Sequence, residues 1–140
     1  MRRTYYGSCH CGAVRFEADI DFDEGIRKCN CSFCWKTGYR KALIPFDALR
    51  IVQGEQSLHD YRPEPSAWPP GDVDHYCCPT CCTHPFSRGY LEKEMGGEFW
   101  AVNVACLDDV DEETLAAAPT IYEDGKRDRQ DRAPDITGYL

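Results

Sequence analysis

The sequence predicts an all-β fold of antiparallel sheets with at most one or two short helices. Three observations carry that prediction. Short runs alternate apolar and polar residues with the period of two that half-buries a strand. Gly, Pro and Asp signals cut the chain between those runs. No internal repeat and no long amphipathic helical stretch is present. The 140 residues suit one compact domain able to bury a core, residues 1–140 with a charged tail at 126–140.

The elements follow in order. "AVRFEADID" puts Val14, Phe16, Ala18 and Ile20 on one face and Arg15, Glu17, Asp19 and Asp21 on the other, a half-buried strand. "KALIPF", "LRIVQG", "SLHDYR" and "FWAVNVACL" are further strand-like runs. "EPSAWPPGDVD" is Pro-rich and reads as a surface loop. "DEETLAAA" predicts one short helix, with Asp111 as N-cap and Pro119 as a stop. "YEDGK" predicts a hairpin turn at Asp124-Gly125. The tail "KRDRQDRAPDITGYL" should have little regular structure, with Tyr139 and Leu140 able to dock.

Composition narrows the function classes. Sixteen Lys and Arg against 24 Asp and Glu leave a formal charge of −8. Nucleic acid and anionic membranes are bound chiefly through surplus Lys and Arg, so neither is the expected partner. The N-terminus "MRRTYYGSCHCG" lacks an apolar secretory region, and no run is long enough to cross a bilayer. The expected location is therefore cytoplasmic and reducing. There, ten cysteines in 140 residues read as metal ligands before disulfides. Zinc is the expected metal.

Three clusters carry that signal: "CHCG" (Cys9, Cys11), "CNCSFC" (Cys29, Cys31, Cys34) and "CPTC" (Cys78, Cys81). In extended chain, residues i and i+2 point to one face, so each C-x-C offers two thiolates to one point. C-x-x-C does the same from a tight turn. A structural zinc takes four ligands, which Cys9, Cys11, Cys78 and Cys81 supply. Cys29, Cys31 and Cys34 then remain as three, the number a catalytic zinc takes from the protein while keeping one position open. Spacing alone does not force this partition. A second closed site completed by His10, His59, His75 or His84, and a disulfide or redox triplet, stay open at this point.

The triplet has unusual neighbours. From Gly25 to Phe46 five basic residues (Arg27, Lys28, Lys36, Arg40, Lys41) meet no acidic one, a local reversal of sign. Cations there would favour thiolates and draw in a small anionic ligand.

"GSCHCGAVRFE", "CNCSFCWKTG", "YCCPTCCTHPFSRG" and "VNVACLDD" fall in the same order as the motifs of the glutathione-dependent formaldehyde-activating (GFA) family, which the chain resembles across most of residues 7 to 109. The resemblance implies the zinc-stapled fold called the beta-tent. It implies a structural zinc on Cys9, Cys11, Cys78 and Cys81 and a catalytic zinc on Cys29, Cys31 and Cys34. It also implies a carbon–sulfur lyase activity joining formaldehyde to glutathione as S-(hydroxymethyl)glutathione, with glutathione as co-substrate. Lys36, inside "CWKTG", is the first candidate for a glutathione contact. Trp35 stands where the family usually has a basic residue, and Cys82 where it usually has Gly.

Other residues read more plainly. Cys106 reads as a buried strand cysteine, and His84 as an ordinary surface or core histidine, although it is the histidine best placed to lie near metal as a hydrogen-bond donor to a ligand. Cys77 and Cys78 are consecutive in extended chain, so their side chains should face opposite ways. Two further function classes compete with the lyase. One is a non-catalytic zinc-binding interaction module with two closed sites; the other is a thiol redox protein using CPTC or Cys106.

Overall fold

Period-two alternation becomes ten strands among the described residues of the computed structural model, which covers residues 1–63 and 73–140. In chain order these are β1 (Arg3–Ser8), β2 (Arg15–Ile20), β3 (Ile26–Cys29), α1 (Ser32–Thr37), β4 (Arg40–Pro45), β5 (Leu49–Gln53), β6 (His59–Tyr61), β7 (Asp74–Cys77), β8 (Phe86–Leu91), α2 (Glu92–Met95), β9 (Gly97–Asn103), α3 (Glu112–Ala117) and β10 (Thr120–Glu123). They form a three-stranded sheet, β1-β2-β5, and a seven-stranded sheet, β10-β3-β4-β9-β8-β7-β6.

On β2, Phe16, Ala18 and Ile20 are buried while Arg15, Glu17 and Asp19 face outward, as the alternation predicts. Phe16 meets Phe86 of β8 edge-to-face at 5.3 Å, and Phe86 meets Trp100 of β9 in the same way at 5.3 Å. This aromatic chain joins the two sheets, and such pairs contribute about 0.5–1.5 kcal/mol each beyond their buried area. On the outer face, Arg50 of β5 ion-pairs with Glu17 at 3.1 Å and Asp19 at 2.9 Å.

The large sheet is covered on both faces. Trp100 and Val102 of β9 pack into the main core with Ala42 and Ile44 of β4. Phe99 and Ala101, one residue out of phase, pack with Cys29, Cys34 and Tyr39 in a second, smaller cluster. One face of the sheet thus builds the core and the other builds the site.

Several expectations change. Three short α-helices form among the described residues where at most two were expected; α1 lies inside CNCSFC and α2 sits between β8 and β9. The third, α3, agrees with the reading: the Asp111 side chain accepts from Thr114 N at 2.7 Å. The sheets are not wholly antiparallel, because β10 pairs with β3 in parallel, Glu123 opposite Cys29. Asp124-Gly125 does not join two strands. The chain turns there through a 3-10 segment, Gly125–Arg127, closed by an isolated bridge between Asp124 and Arg129. Cys106 is buried as expected but sits in a 3-10 turn, Val104–Cys106, just beyond the strand. In the Pro-rich segment, residues 64–72 lie outside the described residues.

Asp74 anchors β7. It is buried and takes Arg62 at 2.6 Å and Arg88 of β8 at 2.9 Å. Burial alone would raise its pKa, but the hydrogen bonds from Arg62 and Arg88 outweigh this and hold the carboxyl below its usual range. A depressed carboxylate stabilises the fold above its unfolded pKa, near 4, and that stability is lost as pH falls through the lower folded value. Asp74→Asn should therefore lower stability to urea at pH 7, and the gap to the parent should close as pH falls below about 4. A gap that persisted unchanged at the acid end would show that Asp74 acts through packing instead of charge.

Candidate metal centres

The first cluster is assembled from two distant stretches. Cys9 and Cys11 follow β1, and Cys78 and Cys81 form the turn between β7 and β8. The Cys9 and Cys11 sulfurs are 3.6 Å apart, those of Cys11 and Cys78 are 3.7 Å apart, and all four lie within 4.8 Å of one another. A tetrahedron with zinc–sulfur bonds of about 2.3 Å has edges of about 3.8 Å, so the spacing fits one zinc ion. All ten cysteines are free. The hydroxyl of Thr83, 3.2 Å from Cys81, holds that thiol down to about 5.

The flanking cysteines occupy different surroundings. Cys78 is buried within the four-sulfur group, and Cys77 is half-buried and outside it, its thiol pushed up chiefly by burial. Cys82 is exposed at φ 64°, the left-handed conformation that favours glycine.

The second cluster uses a different device. Cys29 ends β3, and Cys31 is the N-cap of α1: its sulfur accepts from Cys34 N at 3.4 Å. The three sulfurs lie within 4.8 Å of one another, and no histidine or carboxylate among the described residues joins them. Hydrogen bonds from Cys29 and then Cys34 pull the Cys31 thiol down to about 2, and the same sharing pushes Cys34 up. The group thus carries negative charge readily. Three sulfur donors suit a borderline-soft ion such as zinc and not Mg²⁺ or Ca²⁺. Gly125 backs directly onto this group: a Cβ there would stand 2.4 Å from Cys29 Sγ.

Above the triplet opens a cavity of about 140 Å³. Phe33, Leu43, Leu91, Phe99 and Ala101 make its walls apolar, and Lys41, Glu123 and Gln130 reach its edge. Lys41 Nζ is 3.8 Å from Cys34 Sγ and 3.1 Å from Glu123. Burial would depress this ammonium, but the thiols and Glu123 more than offset it and keep it charged.

A polar relay crosses the same wall. His84 Nδ1 lies 2.7 Å from the Tyr76 carbonyl, which can only accept, so Nδ1 carries the proton. Its Nε2 then accepts from Ser87 Oγ at 3.1 Å, and Ser87 accepts from His75 Nδ1 at 2.7 Å. This leaves the lone pair of His75 Nε2 without a partner among the described residues. Burial, then repulsion from His84 and Lys41, lowers the His75 pKa to about 3, so the ring is neutral near pH 7. His84 has both nitrogens engaged and faces this cavity wall, not a metal.

The basic rim is smaller than the local sequence suggests. Glu123 arrives from β10 and ion-pairs with both Arg27 and Lys41 at 3.1 Å. Lys28 turns to the Leu140 carbonyl at 3.4 Å. Lys36 does not reach the apolar cavity. It lines a separate cleft with Cys31, Trp35, Lys126 and Tyr139, and it is exposed, without an ion pair among the described residues. Ser87, Glu123 and Gln130 escaped the sequence reading; Lys41 was read only as part of the basic rim and His75 only as a possible fourth ligand. Lys41 had one available signal: it shares the Leu43 face of a strand.

A β fold with two thiol groups, one a complete set of four and one of three beneath a cavity, is the type of protein these features define. The model of the glutathione-dependent formaldehyde-activating enzyme family matches residues 4–124, and the chain belongs to that family. A Halomonas elongata protein provisionally named a glutathione-dependent formaldehyde-activating enzyme is 33% identical over 75 residues, 51% of this chain and 48% of that protein. The match spans about half the length of that relative. A crystal structure of a Rhodobacter sphaeroides protein superposes with a TM-score of 0.64 at 30% identity, covering 82% of this chain and 98% of that one.

Two substitutions test the division of the cysteines. If each group holds one zinc ion, Gly125→Ala should push into Cys29 and cost the triplet its ion while the four-sulfur group keeps its own, read as zinc content falling by one. Cys82→Gly should leave zinc content unchanged and raise stability by about 1 kcal/mol, because a side chain in the left-handed region is strained. Zinc lost from Cys82→Gly would place Cys82 among the ligands.

Proposed function

We propose that the protein is a zinc-dependent carbon–sulfur lyase that makes and breaks the adduct of a thiol, glutathione first among them, with a small aldehyde. With formaldehyde the product is S-(hydroxymethyl)glutathione. One observation carries the reading. Three sulfurs converge beneath a cavity with no fourth protein donor among the described residues, while four others form a complete set elsewhere. In this reading the chain is one domain in which Cys9, Cys11, Cys78 and Cys81 hold a structural ion. Cys29, Cys31 and Cys34 hold the catalytic one. A zinc ion there would supply thiolate at neutral pH and a Lewis acid for the carbonyl.

The chain's own residues do the rest. Lys36 and Lys126, exposed on the cleft that reaches Cys31, meet the carboxylates of glutathione. The apolar walls hold the aldehyde against the sulfur and keep water out. His75 stays neutral, and its Nε2, the unpartnered nitrogen on that wall, accepts a hydrogen bond from the adduct's hydroxyl. Thiol ligands persist in a reducing compartment, so a cytoplasmic location belongs to the same proposal. No helix among the described residues is long and apolar enough to cross a membrane.

Zinc stoichiometry of the native protein, with and without glutathione, tests the reading beside Cys31→Ser. Two ions should fall to one in the variant, and glutathione should perturb only the second ion. Two tightly held ions indifferent to glutathione would favour a non-catalytic interaction module. In the intact enzyme, Lys36→Glu combined with Lys126→Glu should raise the KM for glutathione by about tenfold or more, since two attractive contacts become repulsive.

A further inference from the structure

We propose that the cavity above Cys29, Cys31 and Cys34 binds an uncharged carbonyl compound carrying an apolar group of about benzene size. An aryl or branched-alkyl aldehyde would be its reactive form. The reactivity rests on the lyase reading; the binding rests on the wall itself.

Size is the first argument. A cavity of about 150 Å³ lined by aliphatic and aromatic side chains accommodates benzene, and this one is about 140 Å³. Formaldehyde has two heavy atoms and would leave most of the wall without contacts. Lining is the second. Phe33 stacks on His75 with ring centroids 3.6 Å apart and planes 17° apart, making a flat aromatic surface. Leu43, Leu91 and Phe99 complete the wall.

Charge is the third argument, and it excludes the anionic alternatives. Lys41 is the one cation in this wall among the described residues, and Glu123 and Cys34 already engage it. Outside the triplet no uncommitted cation remains to pair a buried carboxylate, and three thiolates keep the triplet net negative even with one zinc ion bound. An uncharged carbonyl oxygen needs only a donor, which Gln130 and Lys41 offer from the edge. The two approaches to the triplet thus differ: the Lys36 cleft suits an anionic thiol, and the cavity suits a neutral electrophile. In the reaction, sulfur forms the C–S bond and the carbonyl π pair moves to oxygen. The thiol proton ends on that oxygen, so no further reactant is needed.

Binding is measurable without turnover. Acetophenone, which does not add thiols readily, serves as the probe on the zinc-loaded full chain by saturation-transfer NMR. Acetone lacks the apolar group, and benzoate carries a charge. Acetophenone should bind at least tenfold tighter than either. Ala101→Leu and, at the edge, Leu91→Phe should each weaken it at least tenfold while circular dichroism shows the fold retained. Equal binding of the three probes, or binding untouched by both folded variants, would overturn the proposal. Adduct formation between glutathione and benzaldehyde or formaldehyde separates this inference from the lyase reading. Acetophenone binding with neither reaction accelerated keeps the cavity assignment and sinks the lyase. Accelerated formaldehyde addition without acetophenone binding does the reverse.

Discussion

The parallel pairing of β10 against β3 is the constraint on which the site depends. It sets Glu123 opposite Cys29 and brings a carboxylate between Arg27 and Lys41. Glu123 is almost wholly buried, and its Oε1 meets Lys41 as an ion pair without an aligned hydrogen bond. Such a buried pair contributes little net stability, but removing one partner leaves an uncompensated charge and costs several kcal/mol. The arrangement therefore fixes geometry more than it adds stability: Lys41 is held where it can face Cys34. The next residues continue the clamp. Asp124 accepts from Asn30 at 2.9 Å, Asn30 accepts from Lys126 N at 2.9 Å, and Gly125 closes on Cys29.

This explains what the sequence could and could not reveal. Cysteine spacing carried the two sulfur groups, because the periodicities of strand and turn fix which thiols converge. The β2 alternation and the Asp111 cap were legible for the same local reason. The strain at Cys82 followed from a position where glycine is usual. Glu123, Gln130 and Ser87 were not legible, since a long-range pairing brings each to the triplet and no local pattern encodes it; His75 was named only as a possible ligand, not as part of the cavity wall. The basic rim was misjudged on the same account: its counter-charge lies more than eighty residues away in the chain. Lys36 was legible as an exposed cation near Cys31, but its separation from the apolar cavity was not. The α1 helix overrode the reading of the triplet as plain extended chain and turn. Its Gly38 cap in the left-handed conformation was the available sign.

The two sulfur groups are coupled through the architecture, although they never meet. Cys78 and Cys81 form the turn of the hairpin whose strands β7 and β8 carry His75 and Ser87 into the cavity wall. Tying that turn to Cys9 and Cys11 pins the hairpin to the small sheet. Phe16 against Phe86 does the same one layer deeper. The four-sulfur group therefore determines where the relay sits, while the three-sulfur group is held from the other side by β3, α1 and β10. A metal lost from the first should loosen the wall that faces the second, because its residues share one hairpin. A metal lost from the second should leave the hairpin, and with it His75 and Ser87, in place. In the proposed reaction the cluster of Cys78 and Cys81 would thus act indirectly, by holding the far wall of a cavity that opens above Cys29, Cys31 and Cys34.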